Sequence, residues 1–158
     1  MSMVQAGDRA PDFELPDQNG DPVKLADLKG QTVVLYFYPR ADTPGCTTQA
    51  CGVRDRRIDY DAAGARVVGI SPDPVEAVRK FAGKLKLDFT LLADADHRVA
   101  EAYGTWVEKS MYGKKYWGVQ RATFIIDPDG KIAKVFPKVS PKQHDELVLK
   151  ALGELAAA

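Results

Sequence analysis

The sequence predicts an α/β domain, a central mixed β-sheet flanked by helices, with a β-hairpin near its N-terminal end. Three observations carry that prediction. Residues 32–39, TVVLYFYP, are almost continuously apolar and β-prone, as suits a strand covered on both faces. Over residues 65–86 the run ARVVGIS is followed by a helical period, which reads as a βαβ passage. ATFIID and KIAKVFP flank the turn Pro128-Asp129-Gly130, which adds an antiparallel hairpin and makes the sheet mixed.

Taken in order, short apolar stretches in residues 13–25 flank Asp17-Gln18-Asn19-Gly20, a turn signal that predicts a scaffolding hairpin at the domain edge. The strand at 32–39 then delivers the chain to a helix starting at Thr43-Pro44. After ARVVGIS, the helix at 74–86 sets Val75, Val78, Phe81, Ala82 and Leu85 on one face. FTLLAD is a third short strand, and residues 93–103 read as helical. Asp94-Ala95-Asp96 reads as a turn and helix cap rather than as a pair of catalytic carboxylates. Residues 106–117, rich in Lys, Tyr and Trp, read as a loop or irregular strand. The final helix is expected to carry Leu147, Val148, Ala151, Leu152 and Leu155 inward. With no internal repeat or linker, residues 1–158 form one expected domain.

Charge and composition exclude several function classes. The 22 basic and 22 acidic residues balance to zero net charge without long runs of either sign. That removes the electrostatic footprint of a nucleic-acid or anionic-membrane binder. The N-terminal MSMVQAGDRAPDF lacks a basic region followed by an apolar run, and no stretch reaches membrane-spanning length. A cytoplasmic protein is the expectation. In a reducing compartment, two cysteines are catalytic, metal-binding or inert more often than they form a permanent bridge.

Both cysteines lie in residues 36–55, YFYPRADTPGCTTQACGVRD. Thr43 is suited to the N-cap and Pro44 to the first helical position, where no N–H is needed. Asp73-Pro74-Val75-Glu76 and Ser140-Pro141-Lys142-Gln143 share this grammar, with a capping-box acceptor where Cys46 stands here. A thiol in a first helical turn meets free N–H groups and the positive end of the helix dipole, which lowers a cysteine pKa from ~8.5 toward neutrality. Cys46 is therefore the candidate nucleophile, against the alternative that it is inert packing. Cys51 lies five residues on, about 140° around the helix, on a stripe with Ile58 rather than with Ala50, Val53 and Tyr60. Five helical steps hold α-carbons beyond the ~7 Å reach of a disulfide. Either Cys51 is a bystander, or the segment must unwind to use it.

Pro39-x-x-x-Thr43-x-x-Cys46 resembles the active-site signature of the peroxiredoxins, and Cys46-Thr-Thr-Gln-Ala-Cys51 resembles the bacterioferritin comigratory protein, or peroxiredoxin Q, branch. GDRAPDFELPDQNG, SPDPVEAVRKFAGKLKLDFTLLAD and KSMYGKKYWGVQRATFIIDPDGKI resemble the same branch, so the likeness covers nearly the whole chain. It implies a thioredoxin-like fold and a thiol peroxidase acting on hydrogen peroxide and organic hydroperoxides. Cys46 would be oxidised, Cys51 would resolve it as an intramolecular disulfide, and thioredoxin or a similar dithiol would recycle the pair. Arg121, just before ATFIID, matches the family's arginine, with Thr43 as a hydrogen-bonding partner and Pro39 as a shield. Read without the family, Arg121 is an ordinary strand-end arginine, Thr43 an N-cap and Pro39 a strand terminator. Arg40 and Arg54, though nearer in sequence, match no part of the pattern.

Two other classes compete. A disulfide oxidoreductase of thioredoxin type usually needs two cysteines separated by two residues, which this chain lacks. A copper-delivering protein needs ligands, and His97 and His144 have no ligand-like spacing to the cysteines. No metal or organic cofactor is expected. The absence of a cysteine near the C-terminus points to resolution within one chain, which removes the chemical reason for an obligate dimer and leaves a monomer as the expectation.

Overall fold

In the computed structural model, which describes residues 3–157, the N-terminal hairpin pairs β1 (Glu14–Pro16) antiparallel with β2 (Pro22–Lys24). Met1, Ser2 and Ala158, the extremes of the expected domain, lie outside the described residues. Asp17 closes the turn by accepting the Asn19 and Asp21 backbone N–H groups, so the DQNG signal is used as read. A short 3₁₀ turn, Leu25–Leu28, leads into β3 (Thr32–Phe37).

β3 occupies the middle of a five-stranded mixed sheet. It pairs in parallel with β4 (Ala65–Ser71), which pairs in parallel with β5 (Thr90–Ala93). On its other side it pairs antiparallel with β8 (Ala122–Ile126), which pairs antiparallel with β9 (Ile132–Phe136). The two-residue period of the strand divides the core. Val34 and Tyr36, with Tyr38 beyond the strand, face one buried cluster, whereas Val33, Leu35 and Phe37 face the other. Covering both faces explains why TVVLYF carries no polar alternation.

The first face is covered by α1 (Pro44–Asp55), α2 (Arg57–Ala62), α3 (Val75–Leu85) and α5 (His144–Ala157), which contribute Ala50, Val53, Tyr60, Phe81 and Val148 to one cluster. The second face packs against the N-terminal segment and α4 (Arg98–Tyr103), through Phe13, Leu15, Val99 and Tyr103. Asp94 accepts the Val99 and Ala100 backbone N–H groups at 3.2 and 2.9 Å, which bears out its reading as a cap. Burial raises the Asp94 carboxyl above its ordinary range, against the lowering effect of those two hydrogen bonds.

Several expectations are corrected. Residues 106–119 form a regular hairpin, β6 (Trp106–Met111) with β7 (Lys114–Val119), in place of the expected loop or irregular strand. Its two-residue turn, Tyr112-Gly113, has positive φ at both positions, 53° and 78°, a geometry matched to the twist of antiparallel strands. α3 begins at Val75 with Pro74 as N-cap and no side-chain cap, so Asp73 has another role. α5 begins at His144, because residues 141–143 form a turn in which the Gln143 N–H donates to the Ser140 carbonyl at 3.2 Å. Its inner face carries His144, Val148, Ala151 and Leu152, while Leu147 and Leu155 are 42% and 40% exposed. The helix is rotated away from the predicted leucine stripe because two polar residues, His144 and Asp145, take core positions.

Candidate active site

The antiparallel register of β3 and β8 pairs Phe37 with Ala122. This puts the start of β8, preceded by Arg121, beside the end of β3, where the chain departs for α1. Two segments 75 residues apart thereby meet: Arg121 Nη2 lies 3.4 Å from Cys46 Sγ.

α1 starts at Pro44 with Thr43 as N-cap, so Cys46 stands at the third helical position as predicted. The thiol is buried, 2% exposed, among Tyr36, Tyr38, Ala41 and Val53. Cys51 is half-buried, and both cysteines are free. Within α1, Ala50 and Val53 are buried while Cys51 is only half-buried, but the helix ends at Asp55, so Ile58 (exposed) and Tyr60 (buried) belong to α2 and the expected stripe joining Cys51 to Ile58 is broken at Arg56. Thr43 departs from its expected cap. Its hydroxyl donates to the Arg40 carbonyl at 2.9 Å, and no side-chain cap bond is made to the helix. The N-cap position still supplies the first carbonyl, since Thr47 N–H donates to Thr43 O at 2.8 Å.

The loop before the helix is tied down from several sides. Ala41 N–H donates to Asp73 Oδ2 at 2.8 Å, which is where the supposed capping aspartate goes. Asp42 adopts a left-handed φ of 62°, and Lys84 Nζ lies 2.9 Å from its carboxylate. Pro39 is half-buried at the mouth of a cleft of about 370 Å³, whose walls include His97, Trp106, Lys109 and Trp117. A larger cleft, about 480 Å³, between α2 and the start of β4 holds neither cysteine.

Gln49 is the residue the sequence reading missed. It is fully buried, and Arg121 Nη1 donates to its Oε1 at 2.5 Å. One amino group of the guanidinium is thus held by Gln49 while the other reaches the sulfur, a use of the planar fork that a lysine cannot reproduce. Three residues after Cys46 and beside Ala50 and Val53, Gln49 is a polar side chain on the buried face of α1. That misplacement is the signal that identifies it. Lys109 completes the local cations: burial lowers its ammonium, the Arg121 charge lowers it further, and Cys46 acts in the opposite direction. Burial also raises the phenols of Tyr36 and Tyr38, and the nearby Cys46 charge adds to both. Arg40 is exposed and Arg54 donates to the Leu85 carbonyl, so neither is an alternative to Arg121 among the contacts seen at the sulfur. Among the described residues, no group of three or more His, Cys, Asp or Glu side chains is arranged to hold a metal, and no helix is long and apolar enough to cross a membrane.

Comparison with known proteins gives this geometry a family. Residues 6–135 match the AhpC/TSA family. The peroxiredoxin Bcp of Escherichia coli K12 is 51% identical over 156 residues, covering 99% of this chain and all of that protein. Among solved structures, peroxidoxin BcpB of Mycobacterium tuberculosis superposes with a TM-score of 0.85 at 42% identity, covering 96% of this chain and 97% of that one. The bacterioferritin comigratory protein of Xanthomonas campestris gives a TM-score of 0.89 at 34% identity, covering 96% and 99%. With family, fold and full-length similarity in agreement, this chain belongs to the AhpC/TSA family and is a peroxiredoxin, a thiol-dependent peroxidase of thioredoxin-like fold.

Proposed function

We propose that Cys46 is the peroxide-attacking thiolate, with Arg121 holding its charge and Cys51 resolving the oxidised sulfur within one monomeric, single-domain chain. The observation that carries this reading is the 3.4 Å contact between Arg121 Nη2 and Cys46 Sγ at the start of α1. A peroxide is cleaved when a thiolate attacks one oxygen and the other leaves with developing negative charge, so fixed donors around the sulfur favour the transition state. The Cys46 sulfur becomes a sulfenic acid and the departing oxygen takes a proton, leaving as water or an alcohol. The Cys51 thiol then attacks that sulfur: an S–S bond forms, the S–O bond breaks, and the hydroxyl leaves as water with the thiol proton. Thioredoxin or a similar dithiol restores both thiols by two exchanges, which fits a cytoplasmic setting where dithiols are supplied.

Hydrogen peroxide and organic hydroperoxides are the expected substrates. Alkyl peroxide reduction is ascribed to the Xanthomonas campestris relative, and the 370 Å³ cleft beside Pro39 offers room for a carbon substituent. In this reading Pro39 shields the sulfur from water and Thr43 fixes the loop that presents it. The test is a single turnover without reductant. Cys46→Ser should abolish peroxide consumption, while Cys51→Ser should consume one equivalent and then stop, even with thioredoxin present. Equal loss of that first equivalent in both variants would sink the assignment of roles.

A further inference from the structure

The C-terminal half of α1 rests on a buried polar cluster that does not touch the Cys46 sulfur among the hydrogen bonds of the described residues. Tyr60 donates its phenol proton to Asp145 Oδ1 at 2.5 Å, linking α2 to the first turn of α5. His144 Nδ1 lies 3.2 Å from the same oxygen, and its Nε2 lies 3.0 Å from Thr123 Oγ1 on β8. A carboxylate only accepts, so Nδ1 donates to Asp145, while Nε2 pairs with the threonine hydroxyl, which can donate or accept. The other oxygen, Asp145 Oδ2, sits against Gly52 of α1, in the space a side chain at that position would need. His144 and Thr123 are fully buried and Asp145 is 8% exposed. Burial, the Asp145 charge and the Asp145 hydrogen bond together keep Tyr60 protonated as a donor.

This cluster joins α1, α2, α5 and β8 at the residue that follows Cys51. A carboxylate drawn into an apolar core costs stability unless it is paired, and Asp145 gathers both of its hydrogen-bonding partners on Oδ1 and turns Oδ2 toward Gly52, an arrangement that calls for a reason beyond packing. Cys46 lies upstream of the contact, and the disulfide cannot form until the helix between it and Cys51 opens. The ring of Tyr36 spans the interval. It lies 5.4 Å from the His144 ring, and its phenol feels both the Cys46 and the Asp145 charges.

We infer that the Tyr60–Asp145–His144 cluster latches α1 at Gly52 and sets the rate at which Cys51 is released to the oxidised Cys46, with Asp145 as a positioning residue for the resolving step. The inference rests on the reading of Cys51 as the resolving thiol. Before opening, the latch holds the chain at Gly52, so Cys51 must be levered off the helix against it. Weakening the latch therefore speeds resolution while leaving the Arg121 contact to the sulfur in place. It also shortens the life of the sulfenic acid, the species that a second peroxide converts to sulfinic acid.

Tyr60→Phe removes one hydrogen bond and retains the ring, and Asp145→Asn retains the shape without the charge. Each variant is mixed with hydrogen peroxide without reductant, quenched with alkylating agent at intervals, and resolved by mass into thiol, disulfide and sulfinate. The peroxide-dependent oxidation of Cys46 should stay within about twofold of wild type, while the peroxide-independent formation of the Cys46–Cys51 bond accelerates about tenfold, as loss of one charge-assisted hydrogen bond predicts. The sulfinate fraction at high peroxide should fall by the same ratio. An unchanged resolution rate in both variants overturns the latch, as does a parallel change in both steps, which would mark a general loss of fold. Absence of any Cys46–Cys51 bond in the wild type would instead remove the reading of Cys51 on which the latch depends.

Discussion

Gly45 leaves open the space through which Arg121 reaches the sulfur: a Cβ at position 45 would come within 3.1 Å of Arg121 Nη2 and 3.4 Å of Pro141 Cγ. This glycine has no unusual φ, so its role is one of space. Gly45→Ala should therefore separate activity from stability. The helix gains up to ~1 kcal/mol from alanine in place of glycine, whereas oxidation of Cys46 slows by about three- to tenfold as the guanidinium is displaced by a fraction of an ångström. Thermal unfolding and stopped-flow oxidation check both arms, and loss of stability in step with activity would contradict the spatial argument.

Removing the guanidinium has a larger effect. Arg121→Ala should slow oxidation of Cys46 by about 10²- to 10³-fold, the usual consequence of deleting one transition-state donor. Arg121→Lys should recover only part of the loss, because an ammonium cannot hold Gln49 Oε1 with one amino group and face the sulfur with another. Full activity in the lysine variant would mean that charge alone suffices.

Hydrogen exchange on the two redox states reads the opening of α1. In the reduced protein, amides from Thr47 onward should be protected by the helix, which begins with the Thr47 N–H to Thr43 carbonyl bond. In the Cys46–Cys51 disulfide form, protection should disappear from Thr47 to Arg54 while β3, β4 and β8 keep theirs. Equal protection of the segment in both states, with the disulfide verified by mass, would show that the bond forms without unwinding.

Alkaline stability follows from four buried phenols, Tyr36, Tyr38, Tyr60 and Tyr103. Burial raises all four above the ordinary tyrosine value of 10.0. A group whose folded pKa is raised contributes stability that is complete below its unfolded pKa and is lost as pH climbs toward the folded one. The protein should hold its stability up to about pH 10 and lose it steeply above. Tyrosinate absorbance from these four residues should rise together with loss of the far-ultraviolet helix signal. Ionisation of all four ahead of any loss of helix would refute this.

Much of the fold was legible because it follows from backbone rules. The apolar run of β3, the Thr43-Pro44 helix start and the Pro128-Asp129-Gly130 turn are local, and each lies where the sequence puts it. Cys46 at the third helical position was readable for the same reason. Side-chain partners were not, because they depend on which distant segment arrives. Thr43 and Asp73 look like caps in sequence, yet one donates to a loop carbonyl and the other accepts from Ala41. Gln49 meets Arg121 only through the β3–β8 register. The β6–β7 hairpin was hidden by its polar composition and by a Tyr-Gly turn, where Asn-Gly is the familiar signal. His144 and Asp145 turned the last helix because tertiary hydrogen bonds outweigh a modest leucine stripe.

The β6–β7 hairpin forms a two-stranded sheet of its own, outside the central five. Neither of its strands pairs with the central sheet, and the ribbon and its turn carry the exposed Met111, Tyr112, Tyr116 and Trp117. Such a ribbon is a template on which another extended chain can add itself. Lys114 and Lys115 are exposed on β7, the latter 3.7 Å from Glu108 on β6, and charged residues of this kind oppose such growth. Association by way of this ribbon should therefore rise with salt, which screens the exposed lysine charges, while the fold beneath stays intact, an outcome that light scattering beside far-ultraviolet circular dichroism checks.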